Sequence, residues 1–162
     1  MADYAFVTRW LLSAPIDQVF AEIDHASAWP TWWRGVRRVE ILEPGDADKI
    51  GLITRTTWRS KLPYDLTFNA RTTRREPPTG PASTAVIAVD AFGELEGHGK
   101  WELVGSAEGT LVTYDWNVAT NKAWMNLFAP VLRPLFGWNH DTIMAWGGAG
   151  LATRLGCTLV EG

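Results

Sequence analysis

Between positions 94 and 118 the chain alternates polar and apolar residues with almost no break, and the apolar positions carry bulky side chains: Leu95, Trp101 and Leu103, then Val112, Tyr114, Trp116 and Val118. Alternation with period two puts successive side chains on opposite faces, the pattern of antiparallel strands wet on one side and buried on the other. From about 121 to 155 the pattern changes to a long apolar segment of helical character, with no strand expected after it. These two stretches restrict the fold. A curved sheet lined inside with large aromatics and closed by one C-terminal helix encloses a pocket wherever the side chains do not fill it.

A length of 162 residues suits one domain with a real core, expected over 1–162. With 46% hydrophobic and 20% charged residues, a disordered or fibrous chain is excluded. Ten tryptophans are the outlier. Each brings a large rigid apolar wall and one N–H donor, suited to a core or to a pocket for a flat ligand. A net charge of −3 lacks the footprint of a nucleic-acid binder, so nucleic acid is not an expected partner. Arg34, Arg37 and Arg38, and again Arg71, Arg74 and Arg75, read first as solvated strand ends and turns, and second as a patch for an anionic ligand or membrane surface. The single cysteine, Cys157, has no intramolecular partner, and no stretch approaches the roughly 20 apolar residues of a membrane span. The N-terminus, interrupted by Asp3, Arg9 and Asp17, does not resemble a signal peptide, so a soluble cytoplasmic protein is expected. A homo-oligomer is compatible with the sequence but not indicated by it.

Along the chain, a first strand over 4–12 places Tyr4, Phe6, Thr8, Trp10 and Leu12 on one face. A helix is expected next, capped by Ser13 or Ala14 with Pro15 in its first turn and Val19, Phe20 and Ile23 buried. Trp29-Pro30-Thr31-Trp32-Trp33 predicts a second short helix or corner, wedged by indoles under the sheet. Strands follow over 36–42, 50–62, 64–73 and 83–91, ahead of the two opening ones, which meet at a hairpin turn over 105–109. In the C-terminal segment, Pro130 and Pro134 are expected to break or bend the helix between them. From about 136 the helical pattern recovers, with His140, Ile143, Met144, Gly147 and Leu151 on one core-facing stripe. Gly147, Gly148 and Gly150 weaken that helix by about 1 kcal/mol each relative to alanine, which predicts close approach to the sheet.

This order of elements, with Ser13-Ala14-Pro15-Ile16-Asp17-Gln18-Val19-Phe20, Trp29-Pro30-Thr31-Trp32-Trp33, Gly93-Glu94-Leu95-Glu96-Gly97-His98-Gly99-Lys100-Trp101 and Trp138-Asn139-His140-Asp141, resembles the START-like polyketide cyclase/dehydrase and lipid-transport superfamily over essentially the whole chain. The resemblance implies an α+β helix-grip fold: a seven-stranded curved antiparallel sheet, two short helices and a long C-terminal helix around a hydrophobic cavity. It implies no particular reaction, because the superfamily mixes carriers, ligand sensors and enzymes without a shared catalytic set.

Metal and cofactor chemistry finds no support in the residues. His25, His98 and His140 lie far apart, no cysteine pair exists, and no glycine-rich phosphate loop or Gly-x-Ser-x-Gly elbow is present. The leading expectation is a carrier or sensor for a small hydrophobic molecule, lipid or polyketide-like and aromatic. Trp58, Phe68, Trp101, Trp116, Trp124, Phe128 and Met144 would hold it, and Tyr64, Tyr114, Asn139 and His140 would orient it. Gly97 and Gly99 would leave room for it in a pocket of about 300–1,000 Å³. A second reading is an aldol-type polyketide cyclase or dehydratase, with His140 as base and Tyr64 and Asn139 as donors to an enolate oxygen. A third is an interaction domain whose cavity is filled by side chains. In the plainest account of His140, its imidazole satisfies a strand carbonyl or tyrosine hydroxyl.

Overall fold

A computed structural model of the chain describes residues 3–120 and 123–161. Strand β1 (Asp3–Leu12) leads into α1 (Ile16–Asp24), a 3₁₀ turn (Ala26–Ala28) and α2 (Trp29–Trp32). Six strands follow: β2 (Val36–Glu43), β3 (Ile53–Arg59), β4 (Asp65–Glu76), β5 (Thr84–Gly93), β6 (Leu95–Ser106) and β7 (Gly109–Thr120). The chain closes with α3 (Ala123–Leu127), α4 (Ala129–Leu155) and β8 (Leu159–Glu161). The strands form one sheet in the order β2-β3-β4-β5-β6-β7-β1-β8. Eight strands therefore stand where seven were expected. The additional one, β8, is three residues that pair with the end of β1, too short for alternation to show in the sequence. Ser13 secures it: its N–H donates to the Thr158 carbonyl at 3.0 Å and its Oγ accepts the Thr158 N–H at 2.8 Å.

Pro15 sits one position earlier than expected, as the extended residue that caps α1 rather than inside its first turn. Ile16, Val19, Phe20 and Ile23 form the buried stripe of α1. At its end Asp24 accepts two bonds from Arg75 of β4, both 2.9 Å, and one from Lys49 of the β2–β3 loop, also 2.9 Å. Burial pushes the Asp24 carboxyl up, but these cationic donors outweigh it and hold the group below its ordinary value. The triad ties helix, sheet and loop together at one end of the interior.

The break expected between Pro130 and Pro134 lies earlier, at Phe128, between α3 and α4. Pro130 then falls in the first turn of α4, where an N–H has no intrahelical partner to lose. Pro134 is tolerated one turn further in, so α4 runs unbroken to Leu155, where Gly156 in the left-handed region (φ 63°) ends it. The helical glycines meet tryptophans. A Cβ at Gly147 would stand 2.5 Å from the Trp33 indole, and one at Gly150 would stand 1.9 Å from the Trp32 carbonyl oxygen. With no side chains there, the Trp33 indole N–H reaches the Ile143 carbonyl at 2.9 Å and the Trp10 indole N–H reaches the Met144 carbonyl at 3.1 Å. The close approach is thus to the α2 corner as well as to the sheet. It sets the height of α4 above the concave face.

Candidate ligand-binding cavity

Between that concave face and α4 lies a cavity of about 140 Å³. Inward positions of five strands supply most of its wall: Tyr4 and Phe6 of β1, Trp58 of β3, Leu66 and Phe68 of β4, Leu95 and Trp101 of β6, and Tyr114, Trp116 and Val118 of β7. Trp29 and Trp33 close one side, and Phe136, Asn139, His140, Ile143 and Met144 of α4 form the roof. Register explains the grouping, since Trp101 pairs with Tyr114, Gly99 with Trp116, and Phe6 with Trp116 across adjacent strands. Cross-strand neighbours on one face touch, and the Trp101 and Tyr114 rings stack at 4.0 Å.

Behind Trp29, Trp58, Phe68, Trp101, Tyr114 and Trp116 is a second cavity of about 80 Å³, lined also by Thr54, Thr56 and Thr72 and by the Asp24, Lys49 and Arg75 triad. Both volumes fall below the expected range of about 300–1,000 Å³, because the aromatic side chains themselves occupy much of the interior. Gly99 illustrates this. A Cβ there would stand 2.7 Å from the Trp116 ring and 2.9 Å from the Tyr114 hydroxyl, so its space is taken by those two rings rather than left for a ligand. At Gly97 the nearest atom is the Asn117 carbonyl oxygen, 2.0 Å from a would-be Cβ, and that glycine opens no space either.

Of the residues nominated from sequence, Trp58, Tyr64, Phe68, Trp101, Tyr114, Trp116, Asn139, His140 and Met144 come together on the wall of the larger cavity. Trp124 and Phe128 do not, being 45% and 53% exposed. The helix is expected to run from about 121 to a break between Pro130 and Pro134, whereas the break falls earlier, at Phe128, between α3 and α4. Trp124 instead sits at the rim, edge-on to the Tyr64 ring at 5.7 Å. Tyr4, Phe6, Trp29, Trp33 and Phe136 were not nominated. For Tyr4 and Phe6 the signal was present, since both share the alternation phase of Trp10 in the first strand.

Two side chains of this wall have polar atoms without partners. Among the described residues the Tyr4 hydroxyl and both ring nitrogens of His140 are buried without a hydrogen-bond partner. The account in which His140 satisfies a carbonyl or tyrosine hydroxyl is therefore not what the structure has. Its ring stacks on Phe6 at 4.2 Å, and the Asp141 carboxylate stays 3.7 Å from Nδ1, beyond hydrogen-bond reach. Burial pushes the imidazole down to about 4 against the weaker opposing pull of Asp141, so it is neutral near pH 7. Burial also raises Tyr4, Tyr64 and Tyr114, which keeps their hydroxyls protonated. Asn139 is anchored through its Oδ1, which accepts the Ser60 hydroxyl.

The depressed His140 value has a consequence for stability. The unfolded chain takes a proton on this ring below its ordinary value of 6.5, whereas the folded protein resists until about 4. Stability is complete above pH 6.5 and is lost progressively as pH falls toward 4, by on the order of 3 kcal/mol. His140→Phe is expected to flatten this part of a Tm-against-pH curve, and an unchanged acid limb would contradict the buried neutral ring.

The sequence pattern of the family described as polyketide cyclase/dehydrase and lipid transport matches residues 12–145. The chain belongs to this family. Its membership agrees with the fold, a helix-grip arrangement of antiparallel sheet and long C-terminal helix. Three solved structures share that fold. The Zhui aromatase/cyclase from Streptomyces sp. R1128 aligns over 96% of this chain and 94% of its own, with a TM-score of 0.72 at 15% identity. A START superfamily protein from Mycobacterium smegmatis aligns over 95% and 97%, with a TM-score of 0.66 at 13% identity. The di-domain ARO/CYC BexL from the BE-7585A biosynthetic pathway has a TM-score of 0.63 at 17% identity, and there the alignment covers 92% of this chain and 50% of that one. No curated protein matches the sequence. As a polyketide cyclase/dehydrase family member the chain has, among its described residues, no helix long and apolar enough to cross a membrane and no group of three metal-ligating side chains.

Proposed function

We propose that this protein binds a small, mainly aromatic molecule in the larger cavity and recognises one oxygen of it through Tyr4 and His140, as a carrier or sensor. The observation that carries this reading is the pair of buried groups without partners. An unsatisfied buried donor or acceptor costs about 1–3 kcal/mol, and a ligand oxygen arriving between walls of indole and phenyl rings would relieve it. A neutral imidazole offers one donor and one acceptor and a phenol offers a donor, a set that suits a carbonyl or hydroxyl group. Size supports one or two rings, since an apolar cavity of about 150 Å³ accommodates benzene.

Cyclase or dehydratase chemistry, with His140 as base, is the second reading, and it draws on the convergence of His140, Tyr64 and Asn139 on one cavity. A general base works best with a pKa near the operating pH, so an imidazole held near 4 suits recognition better than abstraction of a carbon-bound proton. Isothermal titration with phenol, 2-naphthol and palmitate tests the proposal. The two ring compounds should bind saturably, 2-naphthol with a Kd below about 100 μM, as ligand efficiency allows for its size, and palmitate should give no heat of binding. Absence of saturable binding by both phenols would overturn the proposal, and tight palmitate binding would overturn its size limit.

A further inference from the structure

Large apolar side chains are exposed along α3 and the first half of α4. On α4, Val131, Leu135 and Trp138 recur at spacings of four and three, and Trp124, Leu127 and Phe128 stand exposed on α3 and at the break that joins the two helices; Leu127 and Val131 are 74% and 78% exposed. The opposite side of α4 is already committed, because Phe136, Asn139 and His140 line the cavity. Surface helices normally turn polar residues outward, so a two-sided apolar segment needs a second apolar environment.

Charge tells which one. Between Asp115 and Asp141 the sequence has no carboxylate, and its charged residues there are Lys122 and Arg133. At the Trp138 end this apolar segment meets a basic groove: Lys61 lies 5.9 Å from the Trp138 ring, and Arg34, Arg37 and Arg59 line the same groove. Arg59 is paired with Asp65, and among the described residues no carboxylate lines the groove. The exposed Arg34 guanidinium carbon stands over the Trp146 ring, 4.2 Å from its centroid. A second copy of the chain laid against this face would bring cations against cations. Tryptophans at an apolar–aqueous boundary, aliphatic side chains between them and cations alongside are the composition of a helix lying in the plane of an anionic membrane.

We infer that this face, the exposed α3–α4 segment with the adjoining Arg34, Arg37 and Lys61, docks on an anionic lipid bilayer, with α4 parallel to its surface. The test is co-sedimentation with vesicles of phosphatidylcholine alone and of phosphatidylcholine with 30% phosphatidylserine. The wild-type protein should partition onto the anionic vesicles at least tenfold more strongly than onto the neutral ones, and 0.5 M salt should weaken this. Leu127→Glu/Val131→Glu and Arg37→Glu/Lys61→Glu should each reduce partition at least tenfold. None of these four side chains lines the larger cavity, so both double variants should keep wild-type affinity for 2-naphthol, which separates this inference from the proposed ligand site. Failure of the wild type to partition, or equal partition of both variants, would overturn it. So would a dimer in size-exclusion light scattering that Leu127→Glu/Val131→Glu dissolves without any effect on vesicles.

Discussion

Trp33→Ala is expected to destabilise the protein by about 3–5 kcal/mol, the cost of removing a large buried aromatic, and to lower Tm by roughly 6–20 °C for a chain of this size. The side chain is 1% exposed and touches the rings of Trp10, Trp29, Trp32, Trp58 and Trp101, with centroids 5.0–6.1 Å away. It also carries the N–H bond to the Ile143 carbonyl and fills the notch at Gly147. Gly147→Ala belongs to the same argument. In an unobstructed helix that change gains about 1 kcal/mol, whereas here the new methyl meets the indole and should cost about 1–3 kcal/mol. Once Trp33 is gone the methyl fits, so Gly147→Ala should turn from harmful to favourable in the Trp33→Ala background. Chemical denaturation of the four proteins measures this, and additive effects would contradict the notch-and-indole contact.

Tyr4→Phe is expected to move stability and binding in opposite directions. Its ring packs edge-on against Phe136 at 5.5 Å and under the Arg133 guanidinium at 4.9 Å, contacts that phenylalanine keeps. Only the buried hydroxyl without a partner is lost, so the ligand-free protein should gain about 1–3 kcal/mol and a higher Tm. Affinity for 2-naphthol should fall about tenfold, equivalent to about 1.4 kcal/mol. A tyrosine retained only for packing would change neither quantity, and one whose hydroxyl supports the fold would lower Tm.

Much of this architecture could be read from residue order. The alternation over 94–118 became β6 and β7, with Trp101, Tyr114 and Trp116 on the concave side, because period two assigns each side chain to a face. The glycines of α4 pointed to a close approach before any partner was known. Other features depend on distant neighbours. Alternation places Tyr4 inside but cannot show that β7 and α4 bring no partner to its hydroxyl. Composition counts tryptophans without separating Trp10, which hydrogen-bonds the helix away from the cavity, from Trp58 and Trp116, which line it. Cavity volume was overestimated for the same reason, since the rings that mark a pocket also consume it. Trp124 and Phe128 fall outside the cavity wall where the helix breaks at Phe128 rather than between the two prolines, a position that no residue signal marks.

The central claim, that a hollow between sheet and α4 receives an aromatic ligand at Tyr4 and His140, is tested most directly by a crystal structure of the protein with 4-iodophenol. The claim predicts an anomalous iodine peak among Trp58, Phe68 and Trp116, with the phenol oxygen within hydrogen-bond distance of the Tyr4 hydroxyl or the His140 ring. Iodine bound only on the outer surface, or an interior packed solid by side chains, would contradict it.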